Sequence, residues 1–136
     1  MKLLDASALI EIDRGDMERA RRLDDEGKHA LSQVTVTEMF LGIEYKYESE
    51  SDEYRSARED LERLLSRFKI FQIDRAISIK AAKIIANLRK IGRPVDDLHE
   101  VYVAAIAVKN DLELLTANPK HFRDIEELKI QEWKEY

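Results

Sequence analysis

The stretch MKLLDASALIEI, residues 1–12, decides the fold. Lys2 to Leu4 is a short apolar opening that ends at Asp5, and Leu9, Ile10 and Ile12 then recur in a pattern suited to a helix. The order is strand, acid, helix. Outward from there, Gly15 stops the first helix, Met17 to Glu26 predicts a charged helix closed by Gly27, and His29 to Val34 predicts a second strand. A third helix opens at Thr35-Val36-Thr37-Glu38. After a polar stretch from Tyr45 to Asp52, Ala57, Leu61, Leu64, Leu65 and Phe68 place one apolar face on a helix over 53–68. Ile70 to Ile73 alternates as a strand, 76–91 is a further amphipathic helix with Gly92 as its cap, and 93–97 is a loop. A small-residue helix over 98–109 leads to a strand at 112–116, the turn Asn118-Pro119, a short turn or helix at 120–123 and a possible fifth strand at 128–130.

Short strands separated by helices predict an α/β domain, with a mostly parallel sheet of four or five strands covered on both faces. The length of 136 residues fits one domain over 1–136. Acidic and basic residues make up 38%, against roughly 25% in an average globular protein, so a folded, soluble chain is expected. No apolar run approaches the roughly 18 residues of a membrane span, and the start lacks the flank and cleavage site of a signal peptide. A cytoplasmic location follows as an expectation. With no Cys, thiol chemistry is excluded and any metal must take carboxylates, amides or one of three His. The net charge of −5 argues against polyanion binding by the whole surface, though not against a local basic rim.

In such sheets ligands bind beyond the carboxyl ends of the strands. Asp5 follows strand one, Glu38 lies four residues past strand two, and Asn118 comes two after strand four; Asp97 and Glu100 approach from the start of the small-residue helix. These are hard oxygen donors, and clustered carboxylates repel unless a cation such as Mg²⁺ joins them. Each also has a plain structural reading. Asp5 is a good N-cap, Thr35-x-x-Glu38 is a capping box, Asp96, Asp97 and Glu100 complement a helix dipole, and Asn118-Pro119 is a turn signal. Their fall on one predicted edge, from four places in the chain, favours the functional reading.

With these residues in place, the sequence resembles PIN-domain ribonucleases, above all the VapC toxins of toxin-antitoxin pairs. The resemblance rests on Leu3-Leu4-Asp5-Ala6-Ser7-Ala8-Leu9-Ile10, on Val34-Thr35-Val36-Thr37-Glu38 with Gly42, on Gly92-Arg93-Pro94-Val95 leading to Val103-Ala104-Ala105-Ile106-Ala107, and on Leu114-Leu115-Thr116-Ala117-Asn118-Pro119-Lys120-His121-Phe122. It implies a three-layer α/β/α PIN-like domain and metal-assisted hydrolysis of RNA with Mg²⁺, or Mn²⁺. It puts the family's four acidic or amide roles on Asp5, Glu38, Glu100 and Asn118. Asp5 and Glu100 would be metal ligands, Glu38 would orient or deprotonate water, and Asn118 would bind phosphate or water. Ser7 matches the hydroxyl that supports the first acid, and Thr116 and Arg93 are further support or substrate positions. The third acid is usually Asp; here Glu100 stands one methylene longer and one residue out of step with Gly92, so Asp97 competes for the role. The resemblance further implies a homodimer and a cognate antitoxin. Arg14, Arg93, Lys120, His121 and Arg123 flank the site as candidate phosphate contacts, and His121 is expected to pack beside Phe122 or meet solvent.

Two other enzyme and signalling classes fit poorly. An aspartyl phosphatase needs a second Asp where Ser7 stands, and a receiver domain needs an acid pair where Asp5 stands alone. The rival that remains is a PIN-like module that binds RNA or protein without cutting.

Overall fold

The computed structural model describes residues 1–136. Five strands, Lys2–Leu4 (β1), Ala30–Ser32 (β2), Lys69–Phe71 (β3), Glu113–Thr116 (β4) and Ile130–Glu132 (β5), are joined by six helices. The helices are Ala6–Asp13 (α1), Met17–Glu26 (α2), Gln33–Lys46 (α3), Asp52–Leu65 (α4), Arg75–Lys90 (α5) and Leu98–Lys109 (α6). Single 3₁₀ turns follow at Pro119–His121 and Trp133–Glu135. The sheet order is β3-β2-β1-β4-β5 and every pairing is parallel. Parallel neighbours need long crossovers, which the helices provide for the first four strands.

Local chemistry starts every helix. Asp5, Asp16, Ser32, Ser51, Asp74 and Asp97 each stand at an N-cap and accept a hydrogen bond from a backbone N–H two or three residues on. Such a cap is worth about 1 kcal/mol. At the end of α5, Gly92 takes a φ of 74°, and the Arg93 and Gly92 amides donate to Leu88 and Arg89 carbonyls at 2.8 and 3.1 Å. Only glycine enters that left-handed turn without strain, which is why the helix stops there.

The strands divide the core by their two-residue period. Leu3, Ala30 and Leu114 face the layer of α5 and α6, whereas Leu4, Leu31 and Leu115 face α1, α2, α4 and the terminal aromatics Trp133 and Tyr136. The result is the expected α/β/α sandwich. Helix α6 is buried at Val101 and from Val103 to Ala107, and its alanines let it lie close to the sheet.

Three local expectations change. Strand β2 ends at Ser32 rather than Val34, because the Ser32 hydroxyl accepts the Val34 N–H at 3.0 Å and opens α3 early. Thr35 is therefore inside the helix, fully buried with its hydroxyl unpartnered, and the capping box Thr35-x-x-Glu38 does not form. The fifth strand lies at Ile130–Glu132, where the Leu114 N–H donates to Lys129 O and Leu114 pairs with Ile130. Helix α5 leaves Ile79 exposed, while α4 turns Leu61 and Leu65 into the core.

Candidate active site

The carboxyl ends of β1 and β4 lie side by side, so Asp5 and the Thr116–Asn118 segment meet across the sheet. Helix α3 carries Glu38 in its second turn, six residues past β2 and free of any capping role, and the first turn of α6 brings Asp97 and Glu100. The cleft they form has a volume of about 240 Å³ and is lined by Asp5, Ser7, Glu38, Asp97, His99, Glu100, Asn118 and His121 over Ile10, Val103 and Phe122.

Asp5 is the most elaborately held of these. Ser7 Oγ donates to its Oδ1 at 2.6 Å, the Ala8 N–H to the same oxygen at 3.1 Å, and Thr116 Oγ1 to its Oδ2 at 2.5 Å. Both hydroxyls are themselves held from behind. The Ala117 N–H donates to Ser7 Oγ at 2.9 Å and the Asn118 N–H to Thr116 Oγ1 at 3.0 Å. Two backbone amides thus act through two hydroxyls on one carboxylate, fixing its plane. The capping role and the site role of Asp5 coexist, since its Oδ1 also caps α1.

On the opposite wall, Asp97 caps α6 by accepting the His99 N–H at 2.8 Å through Oδ1, and His121 Nδ1 stands 2.7 Å from Glu100 Oε1. His121 therefore does not simply pack beside Phe122 or meet solvent. The 3₁₀ turn after Asn118 swings it toward α6, a placement that no local pattern announces. His99, which the sequence reading did not name as a site residue, lies in the cleft near Glu38.

Burial raises the pKa of Asp5 despite the hydroxyl and amide donors around it. Burial likewise raises Glu38, with His99 opposing and Asp97, Asp5 and Glu100 adding repulsion. Glu100 is raised by burial against the pull of His121, with Asp97 and Asp5 again pushing it up. Three carboxyls that resist ionisation in one cleft form a site short of positive charge.

A divalent cation suits that donor set of hard oxygens, because it would relieve both the repulsion and the desolvation. As they stand, no three of the Asp, Glu and His side chains close on a common point. Asp5 is turned to its hydroxyls and Glu100 to His121. Sites for Mg²⁺ ordinarily need only one or two carboxylates with water filling the rest, and Asp5 with Glu100 or Asp97 meets that need.

Arg93 lies beside the cleft rather than in it. It lines an adjoining hollow of about 470 Å³ that shares Asp97, Glu100 and His121 with the cleft, and its Nε is 3.8 Å from Asp124. Arg14, Lys120 and Arg123 line neither space.

The PIN domain family model matches residues 2–128. Ribonuclease VapC1 of Methanocaldococcus jannaschii is 32% identical over 130 residues, covering 95% of this chain and 84% of that protein. The tRNA(fMet)-specific endonuclease VapC of Shigella flexneri is 28% identical over 109 residues, 80% of this chain and 78% of the relative. Among solved structures, VapBC2 from Rickettsia felis bound to a promoter DNA fragment superposes with a TM-score of 0.81 at 19% identity, over 97% of this chain and 98% of that one. VapBC-1 from nontypeable Haemophilus influenzae gives 0.81 at 23% identity, over 98% of both chains.

Proposed function

The chain belongs to the PIN domain family, and from that premise we propose that it is a VapC-type ribonuclease, a metal-dependent hydrolase of RNA phosphodiester bonds and the toxin of a toxin-antitoxin pair. The observation that carries the reading is the clamp on Asp5, in which two hydroxyls and a backbone amide orient a buried carboxylate at the mouth of an acid-lined cleft. A structural cap needs one such bond, and this arrangement fixes the carboxylate far more closely than capping requires.

Asp5 and Glu100 would hold Mg²⁺ or Mn²⁺, with Asp97 the competing ligand on the same wall. Such a cation, when bound, supplies Lewis-acid polarisation of the phosphoryl oxygen and neutralises charge in the in-line displacement. Glu38 then accepts the proton of the attacking water, a role that a carboxyl with a raised pKa fills better than an ordinary one. The Asn118 amide donates to a phosphate oxygen, and Ser7 and Thr116 keep Asp5 in plane. Arg93 meets the RNA backbone outside the cleft.

The active unit in this reading is one PIN-like domain over 1–136, cytoplasmic and homodimeric, with a cognate antitoxin as its regulator. No helix is long and apolar enough to cross a membrane. Ile79 and Ile91, exposed at and just past α5, are the apolar surface offered to a second copy.

The test is cleavage of single-stranded RNA with Mg²⁺ or Mn²⁺ and with chelator. Wild-type cleavage should stop in chelator, and Asp5→Asn should lower kcat by more than about 100-fold, beyond what is typical for an outer-shell partner. Unchanged activity in Asp5→Asn would remove this mechanism. A second reading, a PIN-like module that binds RNA or protein without cutting, is favoured by Glu100, one methylene longer than the usual Asp and one residue out of step with Gly92. Retention of RNA by a wild-type chain that never cleaves it would establish that alternative.

A further inference from the structure

Resting on the reading of the cleft as a divalent-cation site, we propose that His121 is a positioning residue for Glu100, holding one oxygen of that carboxylate so that the other is presented to the cation. The contact is direct, with Nδ1 2.7 Å from Oε1, and it is the one ion-pair contact Glu100 makes. An imidazole N–H donates and a carboxylate oxygen accepts, so the two groups are complementary at that distance. The direct contact with Glu100 gives the ring a role toward the acid.

The imidazole is delivered from a firm base. Pro119 opens the 3₁₀ turn, the His121 N–H donates to Asn118 O at 3.2 Å, and the next residue, Phe122, is 2% exposed in the core. Glu100 needs such a restraint. It reaches the cleft with one more rotatable bond than an Asp would have, and each unrestrained torsion spreads its oxygen over several places. A hydrogen-bonded partner behind a ligating carboxylate removes that freedom. His121 is thus the companion that lets a Glu stand where a shorter acid would need no help, and the two side chains form the boundary between the cleft and the adjoining hollow.

The experiment measures Mn²⁺ binding by calorimetry on the full chain without RNA, alongside kcat and KM for RNA cleavage. His121→Ala should weaken Mn²⁺ binding about 10-fold or more, within the range typical for removing such a partner. His121→Asn, which keeps an N–H near the place of Nδ1, should recover most of it. In a Glu100→Gln background His121→Ala should change Mn²⁺ affinity less than twofold, because the effect passes through that carboxylate. Unchanged or tighter Mn²⁺ binding in His121→Ala overturns the proposal, as does a change in RNA KM alone. A loss that persists in the Glu100→Gln background overturns it too. The side chain of His121 is 45% exposed, so the fold does not rest on it, and far-ultraviolet circular dichroism of each variant checks this directly. A wild-type chain that binds no Mn²⁺ would instead defeat the proposed function, and this proposal with it.

Discussion

His29 and Asp5 are both buried titratable groups on neighbouring strands, at opposite ends of the sheet. At the amino end of β2, His29 accepts the Lys2 N–H at Nδ1 at 3.0 Å, and its Nε2 donates to Leu23 O at 2.9 Å. Every polar atom of the ring has its complement, and burial lowers its pKa so that it stays neutral. At the carboxyl end of β1, Asp5 is surrounded by donors and is still raised by burial, with Glu38 and Glu100 raised beside it. One end matches each buried group to a partner. The other gathers like charges that the chain alone does not neutralise, the arrangement expected of a site built for something absent from the polypeptide.

The contrast can be broken most severely at Glu38. Glu38→Gln should lower kcat for RNA cleavage by about 100-fold or more, the range of a lost general base, while raising the thermal midpoint in chelator. The sign follows from the raised pKa: burial disfavours ionisation of Glu38 in the folded state, so a neutral side chain removes a penalty present at pH 7. A lower midpoint for that variant would mean that the cleft is not electrostatically strained.

At the other end the expected effect is on folding. His29→Ala leaves the Lys2 N–H and Leu23 O without partners and should lower stability by about 2–4 kcal/mol in denaturant titration, with RNA cleavage by the remaining folded protein unchanged. In the wild type, burial holds the folded pKa of His29 below the ordinary value of 6.5, so its contribution is fully present above about pH 6.5 and is lost as pH falls through the folded value. The cleft acids act in the opposite sense, with their penalty easing as pH falls toward the ordinary carboxyl values of 3.8 and 4.5. Thermal midpoints in chelator across pH 7 to 5 should therefore fall less steeply in His29→Ala than in the wild type. The smallest effect is at Thr35, where a buried hydroxyl has neither partner nor assigned role. Thr35→Val keeps the shape and should add about 1 kcal/mol; a loss of stability would reveal a partner for that hydroxyl.

Much of this was legible along the chain because helix starts and stops are local. The spans of α2 and α6 follow from Gly27 and from the acid-opened, alanine-rich run after Asp97, each readable within a few residues. The third helix was misread for the same reason. Thr35-x-x-Glu38 satisfies the capping pattern, but Ser32 caps the helix first, and pairing of β2 between β1 and β3 decides where the strand ends. The Asp5 clamp was half visible: Ser7 is a local neighbour, whereas the bond from Thr116 exists only because β4 lies next to β1. The pairing of His121 with Glu100 was hidden, since Glu100 lies on another element and only the turn after β4 aims the ring at it.

The sequence by itself determined the alternation of strands and helices, the acids that follow strand ends, the hard-oxygen character of any metal site and the family resemblance, because capping, hydrophobic period and side-chain chemistry act over a turn or two of chain. Only the tertiary structure decided which acids are buried together, that Glu38 is free of a cap, that Arg93 stands outside the cleft and that His121 meets Glu100. Those are outcomes of strand order and of the approach of α6 to the sheet, and burial shifts a carboxyl's pKa only after distant segments have closed over it.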